Sequence, residues 1–147
     1  MAASPPNLVL GVGPQATQLL ATYTVAASAP AGTIVTGTIS AFGPLVGASA
    51  SIQVPISEVW QLVRTSITGA PAIDATLITL INGVAQNFYP SLSSLNENLL
   101  HPFSLPQSIP FPPASTVATS IDTLGANGST PVTMTVKYWV VRAPYTG

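Results

Sequence analysis

Charge is what this sequence has least of. Three Lys and Arg and four Asp and Glu serve 147 residues, 5% of the chain, where an average globular protein carries roughly 25%. The first charged side chain is Glu58. So few cations cannot build the positive footprint that a phosphate backbone requires, and direct nucleic-acid binding is not expected. Cysteine is absent, which excludes disulfides, thiolate metal sites and cysteine nucleophiles together. Long apolar runs are absent too: Thr, Ser, Gly, Asn and Pro interrupt every candidate well before the ~18–20 residues of a membrane span. The opening "MAASPPNLVLGVGP" has no basic stretch and only a short apolar run, so a secretory signal is not expected.

What is present is hydrophobic and heavily punctuated. The chain is 47% hydrophobic with a mean hydropathy of +0.51, the opposite of the balance that keeps a chain disordered. Its length suits one domain with a sizeable core. Fifteen prolines and eleven glycines spread along the whole length leave few windows for a long helix and favour an all-β design.

Several stretches carry a period of two. "TIVTGTISAF" (33–42) places Val35, Gly37, Ile39 and Ala41 on one face, and with "LLATYTVAA" (19–27) across the turn "SAPAG" it predicts a hairpin. "EVWQLVRTSIT" (58–68) has apolar side chains on both faces and predicts an inner strand. "DATLITLINGVAQNFY" (74–89) sets two apolar runs around Asn82-Gly83, the pair suited to a type I′ turn. "PFSLPQSIPFPP" (102–113) carries too many prolines for a central strand and predicts an edge strand or extended loop. "STVATSIDTL" (115–124) and "PVTMTVKYWVVRA" (131–143) predict two more strands; in the second, Val132, Met134, Val136, Tyr138 and Val140 form the expected core face. "SLSSLNENLLHP" (91–102) departs from the pattern: Leu92, Leu95 and Leu99 share a helical face, and Ser94 with Glu97 fits a capping box, so a turn or two of helix is expected. About eight to ten short strands without a βαβ rhythm predict two antiparallel sheets packed face to face.

The chemical inventory is thin. His101, the one histidine, sits between Leu100 and Pro102 with no nucleophile motif around it, and a structural or surface role is expected. Glu58, Asp74, Glu97 and Asp122 are scattered. Glu58 is expected to form an ion pair or a turn contact at its strand start, with Arg64 as the candidate partner, and Asp74 and Asp122 to face solvent or cap turns. No spacing supplies a metal site, and no cofactor or catalytic residue is expected. "GVG" at 11–13 precedes Pro14, not a helix, and is no phosphate loop. "NGS" at 127–129 matches a glycosylation acceptor, but the same residues make an ordinary hairpin loop, which is the preferred reading. Trp60, Tyr138, Trp139 and Tyr145 lack the basic interleaving of a nucleic-acid stacking platform and are assigned to core and interface packing.

The series "IQVPISEVWQLVRTSIT", "DATLITLINGVAQNFY", "IPFPPASTVATSIDTLG" and "PVTMTVKYWVV" resembles, in strand pattern over about residues 33–143, the single jelly-roll capsid proteins of archaeal icosahedral viruses such as the portogloboviruses. The resemblance implies an eight-stranded jelly-roll sandwich over 33–147 and a subunit that associates with copies of itself, and with other capsid proteins, into a closed shell in the virion after assembly in the host cytoplasm. It brings no catalytic residues. The alternative class is a receptor- or carbohydrate-binding β-sandwich of a viral spike, fibre or cell-surface appendage. Residues 1–32 are set apart as an N-terminal arm or extra strands. The residues expected at subunit interfaces are Trp139, Val141, Leu8, Leu10 and Tyr145: Trp139 and Val141 because alternation turns them from the core, Leu8 and Leu10 because "NLVLGV" exceeds what one sandwich needs.

Overall fold

The alternation along 131–143 organises the molecule. Val136, Tyr138 and Val140 are buried, with Met134 close behind, while Thr133 and Thr135 are exposed and Lys137 and Trp139 half-buried on the opposite face. In the computed structural model, which describes residues 15–40, 48–97 and 108–145, that segment is the longest of the eleven strands described. They are β1 (Gln15–Val25), β2 (Ile34–Thr36), β3 (Thr38–Ser40), β4 (Ala48–Ser49), β5 (Ser51–Gln53), β6 (Glu58–Ser66), β7 (Ala75–Ile81), β8 (Val84–Ala85), β9 (Ile109–Phe111), β10 (Thr116–Thr123) and β11 (Val132–Pro144). The fold is all-β, with two antiparallel sheets arranged as a β-sandwich. The first sheet runs β9-β6-β11-β1-β3-β4; the second runs β2-β10-β7-β8, with β5 also paired to β10.

β1 is central to the first sheet. It pairs with β11 from Val25↔Val132 to Gln15↔Arg142 and on its other side with β3. Residues 15–25, grouped by their sequence with an arm or extra strands, are thus hydrogen-bonded inside this chain's own sheet, because Leu19, Ala21, Tyr23 and Val25 bury an inward face. The β1–β3 hairpin forms as its alternation predicts, but only over 38–40; the preceding 34–36 leave for the second sheet. Gly37 marks the crossing. A Cβ there would stand 2.5 Å from Tyr23 Cε2 and 2.9 Å from Thr119 Cγ2, and the Gly37 amide donates to the Thr119 carbonyl at 2.9 Å.

The Asn82-Gly83 turn joins β7 to β8 with both residues at positive φ, 51° and 79°, as a type I′ turn requires. The proline-rich stretch supplies β9, a short edge strand on β6. Of the stretch 91–102, where a helix is expected, the described residues end at 97 and hold a single 3₁₀ turn, Leu92–Leu95, and the capping box does not form. Ser94 Oγ donates to the Ser91 carbonyl at 2.7 Å, and Glu97 is engaged elsewhere. Buried Leu92 and Leu95 close one end of the sandwich. The turn is held there by bonds from Ile67 N to Leu95 O and Glu97 N to Ile67 O, and by the Asp74 carboxylate, which accepts from the Ser93 amide and hydroxyl. Leu99 and His101 lie outside the described residues.

The core is not wholly apolar. Tyr23 and Tyr138 project from the first sheet toward Thr79 and Thr119 of the second. Thr119 Oγ1 lies 2.6 Å from the Tyr23 hydroxyl and 2.8 Å from that of Tyr138, which is also 2.9 Å from Thr79 Oγ1. If Thr119 donates to the Ile78 carbonyl at 3.1 Å, both phenols and Thr79 can donate in turn, and every buried hydroxyl of the set has a partner. Burial pushes the Tyr23 phenol well above its ordinary value and raises that of Tyr138.

Candidate interaction surface

The outer face of the first sheet carries Arg64 and Lys137, and the Glu97 carboxylate reaches it. Its layout begins with an irregularity in β6. Trp139 pairs with Arg64 and Val140 with Leu62, so Val63 is the extra residue of a β-bulge. Leu62 and Thr65 are buried, while Val63 is 38% exposed and Arg64 half-buried. The bulge therefore turns two successive side chains outward beside Trp139, the re-aiming that bulges provide. Simple alternation along 58–68 does not hold there, and Arg64, six residues and about 20 Å along the same strand from Glu58, is out of its reach.

Around Trp139 the polar groups are chained. Its indole Nε1 donates to Ser66 Oγ at 2.7 Å, and Ser66 Oγ donates to Glu97 Oε2 at 2.7 Å. The Lys137 ammonium donates to both Glu97 oxygens at 3.0 and 3.2 Å. The Ser66 hydroxyl first, and then Lys137 and the charge of Arg64, hold the Glu97 carboxyl below its ordinary value. The Arg64 guanidinium lies over the indole, 5.7 Å from its centroid, a cation–π geometry. Its Nε is buried without a hydrogen-bond partner among the described residues. On the opposite, inward side of the same sheet, near the end of β11, Arg142 stands across from buried Trp60 and grips Glu58 with Nε to Oε1 at 3.0 Å and Nη2 to Oε2 at 2.8 Å, and Trp60 Nε1 donates to Oε1 at 2.7 Å. The Arg142 fork first, then the indole, lowers the Glu58 carboxyl. Glu58 thus has a strand-start ion pair, with Arg142 in place of the expected Arg64.

Two ion pairs, Glu97–Lys137 and Glu58–Arg142, neutralise their own charges. Apart from the Glu97–Lys137 pair and half-buried Arg64, what the outer face offers is uncharged: Leu20, 39% exposed, Val63, Trp139, Val141, and threonine pairs Thr22–Thr135 and Thr24–Thr133 with hydroxyl oxygens 3.3 Å apart. Between the sheet and the 67–72 loop runs an open groove of ≈ 400 Å³, lined by Leu20, Ile67, Pro71, Thr133, Thr135 and Lys137 among others.

Of the residues expected at interfaces, Trp139 and Val141 stand half-buried on this face. Tyr145 is 45% exposed beyond the end of β11, its amide donating to the Ser57 carbonyl at 2.7 Å. Leu8 and Leu10 lie outside the described residues. Arg64, Ser66, Glu97 and Lys137 complete the cluster. Lys137 could be placed beside Trp139 by alternation alone; the rest depends on the bulge and on a loop contact. Ser66 is no exposed nucleophile, being fully buried and already both donor and acceptor. Among the described residues no three His, Cys, Asp or Glu stand together as metal ligands. None of the described helices is long and apolar enough to cross a membrane. The arrangement is suited to recognition by packing. No protein-family model matches the chain, and no curated protein matches it significantly.

Proposed function

We propose that this chain is a structural coat subunit, a single jelly roll that assembles with copies of itself, and with other capsid proteins, into the icosahedral shell of a virus, and that it carries no catalytic site. The observation that carries the reading is strand order. Count β1, β2, β6, β7, β8, β9, β10 and β11 as first to eighth. One sheet then runs sixth, third, eighth, first and the other second, seventh, fourth, fifth, an order that supports reading the sandwich as a jelly roll, an architecture that viral capsid domains use. β3, β4 and β5 extend its margins. The sequence resemblance to archaeal virus capsid proteins supports the viral setting, and hence the virion as the place of action. A sparsely charged surface whose ion pairs neutralise themselves supports self-association, since net charge near zero favours it.

Jelly rolls also serve as lectin domains, and one observation favours a carbohydrate- or receptor-binding role as the second reading: the ≈ 400 Å³ groove with threonines on its wall falls in the size range of ligand sites. Sedimentation velocity of the purified chain over a range of concentrations separates the two. The coat reading predicts large assemblies far above the 15.0 kDa subunit. A small oligomer that binds glycans saturably would replace it with the second.

A further inference from the structure

We infer that subunits meet through opposite faces of the sandwich, the outer face of the first sheet of one copy seated on the outer face of the second sheet of the next, with Arg64 of one copy paired to Asp122 of its neighbour. The inference rests on the self-assembly reading and specifies which surfaces carry it.

The charge inventory of the described residues leaves two groups unmatched. Lys137 and Arg142 are committed to Glu97 and Glu58, and the Asp74 carboxylate accepts from Ser93 and Ala75. Arg64 has its stacking contact with Trp139 but no ion pair among the described residues, and it stands half-buried on the outer face. Asp122 is the one carboxylate side chain with neither an ion pair nor a hydrogen bond among the described residues. It lies on β10, whose Ile121 and Thr123 point inward and are buried, so Asp122 faces outward from the second sheet. Two sheets separate the groups, about 10 Å apart in any sandwich, and each side chain points away from the other. One molecule cannot join them; two copies can.

The surroundings match as well. Asp122 has Ile34, 58% exposed, and Thr76 as its register neighbours, with Ile78 and Leu80 half-buried on the same face. Arg64 has Val63, Leu20, Trp139 and Val141 around it. Each face is therefore apolar and hydroxylated around one unmatched charge of opposite sign. A guanidinium stacked on an indole keeps its planar fork oriented for a carboxylate. Because the two patches differ, the contact is head-to-tail, the type that propagates into rings or extended arrays instead of stopping at a dimer.

The test is assembly by light scattering of wild type, Arg64→Asp, Asp122→Arg and an equal mixture of the two variants, with circular dichroism to verify folding. Each variant alone opposes like charges at every contact and should raise the threshold concentration for assembly about tenfold or more. In the mixture, the aspartate introduced at position 64 of one variant meets the arginine introduced at position 122 of the other, and the native Arg64 meets the native Asp122, so assembly should return toward the wild-type threshold. Asp122→Arg leaves the Arg64–Trp139 stack untouched, so its effect stands even if Arg64→Asp unfolds. An Asp122→Arg variant that assembles at the wild-type threshold would overturn the pairing while leaving the coat reading intact. A wild-type chain that remains monomeric would overturn both.

Discussion

Gly37 and Thr65 show how single positions constrain the interior. Gly37 sits where one strand passes from sheet to sheet, pressed against the Tyr23 ring and the Thr119 methyl. Gly37→Ala should cost about 1–3 kcal/mol, as forced overpacking does, and thermal melting would register it; an unchanged midpoint would mean the crossing has slack. Thr65 is the opposite case. It is fully buried, and its hydroxyl has no hydrogen-bond partner among the described residues. Thr65→Val keeps the shape and removes the unsatisfied group, so it should stabilise by about 1 kcal/mol, read as a higher denaturant midpoint. A loss of stability would point to a partner for that hydroxyl. Neither position announces itself in the sequence: a glycine in an alternating run and a threonine in a strand are ordinary until the opposite sheet is in place.

At the scale of elements, local chemistry was legible and long-range contacts were not. The Asn82-Gly83 turn, the β11 core face and the edge position of β9 follow from backbone preference, alternation and proline, all properties of neighbouring residues. The β6 bulge, the Glu58–Arg142 pair and the docking of Glu97 against Ser66 and Lys137 depend on residues 31 to 84 positions apart, and nothing local encodes them. Where a helix is expected after Pro90, the described residues hold one 3₁₀ turn, and Glu97 bonds Lys137 and Ser66 in place of a capping box. The "NGS" stretch is not the hairpin loop expected of it, because β10 and β11 on either side belong to different sheets. The Asn127 amide donates to the carbonyls of Ala26 and Thr130 at 2.8 and 2.9 Å, and its oxygen accepts from Gly128, tying this loop to the β1–β2 connection. Asn127→Ala should therefore destabilise by about 1–2 kcal/mol and raise amide exchange at Ser28, which donates to the Gly128 carbonyl. Unchanged exchange there would show that the loops hold without it.

For the molecule as a whole, scarcity of charge implies a shallow response to acid. Glu58 and Glu97 have folded values lowered by Arg142 and by Ser66 respectively. Such groups add stability that is complete above the ordinary value of 4.5 and fades as pH falls through their folded values. Both are partly exposed, so solvent screening keeps their contribution small. The melting midpoint should fall by less than about 10 °C between pH 7 and pH 2, and Glu58→Gln with Glu97→Gln should flatten that fall; a drop of tens of degrees would contradict it. The alkaline limb has the opposite sign. Buried Tyr23 and Tyr138 are raised from 10.0, so the stability they lend is whole below 10.0 and is lost as pH climbs toward their folded values. Their tyrosinate absorbance should accordingly appear only with unfolding.

The coat reading itself is tested most directly by electron microscopy of the purified chain at neutral pH. Closed shells of uniform size, built from the sandwich as the repeating unit, are the predicted result. Single 15.0 kDa particles at every concentration and salt condition would contradict it.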